Sequence, residues 1–163
     1  MFEQYNPSEQ NAVQEDISQL QSQAKSGANW FYWIAGASVV NTIIFLFGGN
    51  LNFMLGLGVV QAINGVAILI EGQTDSFTAT KVGAFLINLL ISAAFLIVGY
   101  FAGKGMTWIF TIGIILYVLD GVIFLLFGDW LSIGFHAFAL FFIVRGLMAA
   151  NKLEKIPPPM NAQ

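Results

Sequence analysis

The sequence predicts an all-α membrane protein with five transmembrane helices. Of its 163 residues, 57% are hydrophobic and 9% are charged, and the mean hydropathy is +0.75. These values lie outside the range of ordinary soluble domains. Several apolar runs approach or exceed the roughly 20 residues that a helix needs to cross a bilayer. Hydrocarbon is the solvent that accepts so apolar a surface, provided that the backbone satisfies its own hydrogen bonds.

The composition also excludes several classes of function. With a net charge of -3 and six Lys and Arg residues, the chain cannot build the basic surface that nucleic acid requires. The absence of cysteine excludes thiolate metal sites and disulfide chemistry. The sequence contains no hydrolase, phosphate-binding or zinc-binding motif, so we expect no catalytic residue, metal or cofactor.

Residues 1–29 form a polar, acidic segment that is predicted to contain a short amphipathic helix. Asn6 suits the cap position and Pro7 the first helical position. Gly27 is the predicted stop. Apolar residues recur between them at helical spacing, at Val13, Ile17, Leu20 and Ala24.

Residues 30–150 form the predicted transmembrane domain, and 151–163 form a polar, Pro-rich tail. The aromatic run Trp30–Trp33 marks the entry into the membrane, because amphipathic rings are favoured near the headgroups. The predicted spans are 30–47, 51–70, 82–102, 108–127 and 130–150.

The second predicted span is the least apolar. It carries Asn52, Gln61 and Asn64 together with several glycines. If one segment is re-entrant and does not cross the membrane, we expect it to be this one.

Two tight helical hairpins flank the middle span 82–102, and their sequences are similar. Asn41–Asn50 aligns with Asp120–Asp129, and the alignment pairs Phe45 with Phe124. A single span between two similar hairpins would give them opposite orientations. The alignment therefore raises the hypothesis of an inverted repeat.

The basic residues suggest an orientation in a bacterial cytoplasmic membrane. Positively charged loops favour the cytoplasmic side. In the five-span topology, a cytoplasmic C-terminus puts the N-terminus outside and leaves Lys25 and Lys81 there with it. The basic residues that it keeps inside are Lys104, Arg145, Lys152 and Lys155.

Four polar residues are predicted to share one buried layer. Asp120 and His136 lie on either side of the turn at Gly128, each about 12 Å deep, and Asn64 and Asn88 lie at a similar depth. An ionisable group in hydrocarbon is costly unless it is paired, so Asp120 should face His136. The layer could be a structural clasp, a proton or ion path, or a ligand contact.

Near the opposite membrane face, Asn41 and Arg145 could form a second polar cluster. Arg145 is close enough to that face for its side chain to extend to the interface, so it needs no buried partner.

Two functions are compatible with these features. The first is a non-enzymatic accessory or scaffold subunit of a membrane complex, embedded in the bilayer and contacting other subunits or a second copy of itself. The alternative is a small homo-oligomeric transporter or channel that uses the layer of Asp120 and His136. A closed, packed layer favours the first, and a water-filled crevice that reaches Asp120 favours the second.

Overall fold

The computed structural model describes residues 7–48, 56–71 and 77–157, and all the regular structure in these ranges is helical. The helices are α1 (Pro7–Leu46), α2 (Gly58–Glu71), α3 (Phe77–Gly103), α4 (Thr107–Phe127) and α5 (Trp130–Glu154). Four of them, α1, α3, α4 and α5, are long and apolar enough to cross a membrane. The predicted all-α membrane class is confirmed at this level, and α3 to α5 contain the predicted third to fifth spans.

Helix α1 is one unbroken helix of 40 residues that joins the N-terminal segment to the first span. The prediction of a separate helix that stops at Gly27 is wrong. Gly27 lies inside the helix and faces α5. The missing side chain lets the two backbones approach, since a Cβ atom at Gly27 would lie 2.5 Å from Gly146 Cα. Pro7, the predicted first helical residue, is the first residue described and is helical, and the predicted cap Asn6 lies outside the described residues.

Helix α2 is the shortest of the five helices in the residues that the structure describes. Its 14 residues extend about 21 Å, whereas the hydrocarbon layer is about 30 Å thick. In the described part of the predicted span 51–70 the structure has only this shorter helix, and it is the segment that was expected to be re-entrant if any segment is. Gly56 and Leu57 precede the helix as buried, non-helical residues. Irregular backbone is tolerated at such depth when protein surrounds it.

The contacts between helices define two sides of the bundle. Ala24 of α1 packs against Ala149 and Ala150 of α5, and the Thr107 hydroxyl at the start of α4 donates to Glu154 Oε2 over 3.2 Å. We call this the termini side, because it holds the start of α1 and the end of α5. The opposite side, where Gly128 connects α4 and α5, is the turn side.

Helix α2 extends from the interior of the bundle toward the turn side. Near its end, Ala67 clusters with Phe45 of α1 and Ala84 of α3, where α1 is about to end and α3 has just begun. Its first residue, Gly58, contacts Asp120 and Phe124 in the interior of the bundle. Helix α2 therefore begins about 12 Å inside the bundle and runs toward the turn side.

This path changes the predicted topology. The four long helices alternate in direction, so the start of α1 and the end of α5 lie on the same side of the bundle, whereas the five-span prediction separates them. Of the long helices, only α3 lies between α1 and α4 in the chain, so these two helices run in the same direction. The hypothesis of an inverted repeat is wrong for that reason.

Aromatic side chains fill the centre of the bundle, and large apolar side chains cover its outside. Phe31 of α1 contacts Phe95 of α3 and Phe110 of α4, with ring centroids 6.3 and 5.8 Å apart. On the outer surface, Leu90 and Leu126 are 72% and 81% exposed. Exposed apolar side chains on every long helix are the surface expected for a protein surrounded by lipid.

The turn between α4 and α5 is closed by local interactions. Gly128 adopts a left-handed conformation with φ of 67°, which ends α4. Asp129 caps α5 by accepting hydrogen bonds from the hydroxyl and the backbone N–H of Ser132. These bonds favour the carboxylate and hold the pKa of Asp129 below its usual value.

We predict that Gly27→Ala destabilises the bundle by about 1–3 kcal/mol, because a methyl group there overlaps the backbone of α5. Gly36→Ala is the matched control, since Gly36 lies in the same helix and has no atom within 4 Å of its Cβ position. The control should be neutral or slightly stabilising, because Ala is the better helix former. Reversible unfolding in detergent measures both. Equal effects would contradict the close contact.

Candidate functional site

The candidate site is centred on Asp120, whose carboxylate lies at the start of α2. The backbone N–H of Gly58 donates to Oδ2 over 2.7 Å, and that of Val59 donates to Oδ1 over 2.9 Å. The first N–H groups of a helix have no acceptor within the helix, and hydrocarbon offers none. Asp120 supplies both acceptors from a different helix, at the end of α2 that carries its positive partial charge.

His136 completes the site from α5. Its Nε2 atom lies 3.0 Å from Asp120 Oδ2, and its Nδ1 atom lies 3.0 Å from the carbonyl oxygen of Ser132. A carbonyl oxygen only accepts, so Nδ1 must carry a proton. The contact between Nε2 and the carboxyl group then requires a further proton, on one atom or the other. In either placement the pair of side chains has no net charge, which suits an apolar interior.

The pair is almost entirely buried in protein. Asp120 is 5% exposed and His136 is 2% exposed. The imidazole stacks on the Tyr117 ring at a centroid distance of 4.3 Å, and the Phe124 ring lies 4.9 Å away. On α1, the Ser38 hydroxyl accepts the Leu57 N–H over 2.8 Å, so the residue before α2 is also satisfied.

A crevice of about 350 Å³ adjoins Asp120 between α3 and α4. Apart from Asp120, every residue that lines it is aliphatic or aromatic. A crevice with this lining suits hydrocarbon chains better than water. The lining residues are Val59, Ile91, Ala94, Phe95, Leu116, Leu119, Asp120 and Ile123.

The four residues of the predicted layer form two separate pairs. Asn88 Nδ2 donates to Asn64 Oδ1 over 2.7 Å, and both side chains are buried. Asn64 follows Gly58 by about 9 Å along α2, which puts this pair nearer the turn side than Asp120. No hydrogen bond given for the described residues joins the asparagine pair to Asp120 or His136.

The structure does not bring Asn41 and Arg145 together. Gly146 contacts Gly27, so Arg145 is level with that part of α1, whereas Asn41 lies about 21 Å further along the helix. Asn41 is fully buried toward the turn side, and Arg145 is exposed near the termini side. The error follows from the five-span topology, which assigned the end of α1 to the wrong side.

Sequence analysis missed two residues of the site, Ser38 and Tyr117. Ser38 lies on one helical face with Asn41 and Thr42, and all three are buried. Tyr117 lies one turn before Asp120. Both spacings are visible in the sequence, and polar residues repeated at helical spacing within an apolar span do indicate a face turned toward protein.

Chemically, the arrangement resembles a clasp more than a reaction centre. Each oxygen of Asp120 already accepts from the start of α2, and Oδ2 also meets His136. Among residues 7–48, 56–71 and 77–157, no group of three His, Cys, Asp or Glu side chains could hold a metal ion.

The fold and the site define an all-helical protein with four helices suited to crossing a membrane and one short helix anchored inside the bundle. No family model matches this chain, and comparisons with curated proteins and with solved structures likewise give no match.

We predict that Asp120→Ala lowers the free energy of unfolding by about 3–5 kcal/mol, because it leaves two N–H groups and His136 unpaired in an apolar interior. Leu119→Ala is the matched control on the same helix, since Leu119 faces outward and is 59% exposed. Unfolding in detergent measures both. A double-mutant cycle with His136→Ala should show coupling, since the two side chains share one contact. Additive losses would contradict the pair.

Proposed function

We propose that this chain is a non-enzymatic membrane protein that serves as an accessory or scaffold subunit of a membrane complex. The observation that carries the proposal is the closed Asp120 site. Both oxygens of the Asp120 carboxylate accept hydrogen bonds from the start of α2, and the adjoining crevice is lined by apolar side chains. A polar layer used for internal anchoring leaves the outside of the bundle and the aqueous part of α1 as the surfaces for contact.

The aqueous part of α1 supports this proposal. From Pro7 to Ser26 the helix extends about 30 Å, and at residues 11–16 every side chain is exposed. Glu15 and Asp16 make this surface acidic. A long helix with few contacts to its own bundle suits a protein partner or a second copy of the chain.

Affinity purification in mild detergent tests the proposal. A handle at the C-terminus is compared on the full chain and on a variant lacking residues 1–16. We expect a defined partner subunit with the full chain and its loss from the variant, whose unfolding temperature should stay near that of the full chain. Recovery of the isolated chain alone, in several detergents, would contradict the proposal.

We further propose that α2 is a re-entrant element, that the chain crosses the membrane four times and that both termini face the cytoplasm. Of the six Lys and Arg residues, only Lys81 lies on the turn side. Five basic residues therefore share the termini side, a stronger bias than the five-span topology gave. The five are Lys25, Lys104, Arg145, Lys152 and Lys155.

We predict that reporters fused to either terminus give the same cytoplasmic signal. Cysteine labelling of intact cells should modify Asp129→Cys on the turn side and leave Ser18→Cys unmodified. The chain contains no native cysteine, so the background is clean. Opposite signals from the two termini would contradict the four-crossing topology, and the reverse labelling pattern would contradict the orientation.

A second candidate function, a small transporter or channel, is favoured by a different observation. Four buried polar atoms have no hydrogen-bond partner among the described residues: Asn64 Nδ2, Asn88 Oδ1, Ser92 Oγ and Tyr117 Oη. Buried polar atoms are usually satisfied by protein or by water. Polar groups of this kind beside a re-entrant helix are also a feature of membrane transport sites.

Flux measurements in proteoliposomes test this second function. Flux of an ion or small solute that is lost in Ser92→Ala would support it, provided that flux is retained in Leu125→Ala, whose side chain is 52% exposed and lies outside the crevice. Absence of flux across a panel of ions would favour the scaffold. Flux that is unchanged by Asp120→Asn combined with His136→Ala would remove that pair from the mechanism.

A further inference from the structure

A polar notch of about 220 Å³ lies between α1 and α5 on the termini side. One cation, Arg145, faces it, and no carboxylate lines it. The residues that line the notch are Ser22, Gln23, Ser26, Gly27, Phe142 and Arg145.

The close contact of Gly27 with Gly146 creates this notch. Because the two backbones meet there, the polar face of α1 comes against α5 one turn further along. Ser22 and Ser26 are four residues apart, so their hydroxyls share that face. Arg145 has no hydrogen bond or ion pair given among the residues that the structure describes. The notch therefore combines an unpaired guanidinium with two hydroxyls and an amide.

Arg145 lies near the termini side of the bundle, where its guanidinium can reach the level of lipid headgroups. It lies about one helical turn inside Ala149, which packs near the termini side of α1. A long side chain at this depth extends its charged end to the interface while its stem stays in hydrocarbon. Ser22 lies on the aqueous side of Gly27, so the notch opens where the side chain of Arg145 would end.

An apolar groove of about 270 Å³ adjoins the notch and shares Arg145 with it. Its other lining residues are Leu140, Phe141, Val144 and Met148. Phe141 and Met148 are 60% and 57% exposed, so the groove faces the surrounding lipid. Arg145 thus stands between a polar compartment and an apolar one.

We propose that the notch and the groove together bind one phospholipid. The phosphodiester lies against the guanidinium of Arg145, with the hydroxyls of Ser22 and Ser26 and the Gln23 amide as further donors, and an acyl chain lies in the groove. A guanidinium presents paired N–H donors that match phosphate oxygens, and charge-assisted bonds of this kind are the strong ones. Basic pockets between transmembrane helices are known to hold lipid headgroups.

The larger crevice on the other face of α1 is less suited to this ligand. It holds Lys25 and Lys104, but also Glu154, whose carboxylate would oppose a phosphate. The ammonium of Lys104 already lies 4.4 Å from the centroid of the Tyr100 ring.

Native mass spectrometry of the full chain, titrated with defined lipids in detergent, tests the proposal. The probes are phosphatidylglycerol, the diglyceride with the same acyl chains, and inorganic phosphate as a competitor. We expect one phosphatidylglycerol to be retained and the diglyceride to be bound at least tenfold more weakly. Arg145→Gln should weaken retention roughly tenfold. The double variant Ser22→Ala with Ser26→Ala should weaken it severalfold. Arg145→Lys should recover only part of the loss.

Lys152→Gln is the matched control, because it removes a cation from the same side of α5 outside the notch and should retain the lipid as the unaltered chain does. Unfolding temperatures check that every variant is folded, and the serine variant tests the notch without touching Arg145. Equal retention of phosphatidylglycerol and diglyceride, or no loss in Arg145→Gln and the serine variant, would overturn the proposal. Displacement of the lipid by millimolar phosphate would assign the site to a soluble anion instead and overturn the lipid assignment.

Discussion

A helix that begins in the interior of an apolar bundle must find acceptors for its first N–H groups, and in this protein Asp120 provides them. The carboxylate binds Gly58 and Val59, while the adjacent hydroxyl of Ser38 accepts the N–H of Leu57. His136 balances the charge. Without these contacts, the first N–H groups of α2 would be left unpaired in an apolar interior.

The proposed number of crossings rests on that anchoring. Because the four long helices alternate in direction, the start of α1 and the end of α5 lie together, on the side that holds five of the six basic residues. The charge bias that looked weak in a five-span topology becomes pronounced in a four-crossing one.

The helices α3, α4 and α5 could be predicted from the sequence because long apolar runs bounded by glycine turns leave few alternatives in a membrane. The contact of Asp120 with His136 was expected for a related reason, since an ionisable group in hydrocarbon needs a partner. The continuity of α1 could not be foreseen, because Gly27 has the appearance of a stop until its neighbour Gly146 is known. The depth of α2 could not be foreseen either, because its first N–H groups are bound by Asp120, which lies 62 residues after Gly58 in the sequence.

The unbroken course of α1 has a mechanical consequence. One rod of about 46 Å connects Pro7, in the aqueous phase, with Ser38, whose hydroxyl binds the backbone just ahead of α2. The contact of Gly27 with Gly146 lies between these points, and no side chain separates the two backbones there. A displacement of the N-terminal part of α1 would therefore tilt the helix about that contact and shift Ser38, which binds the backbone just before α2.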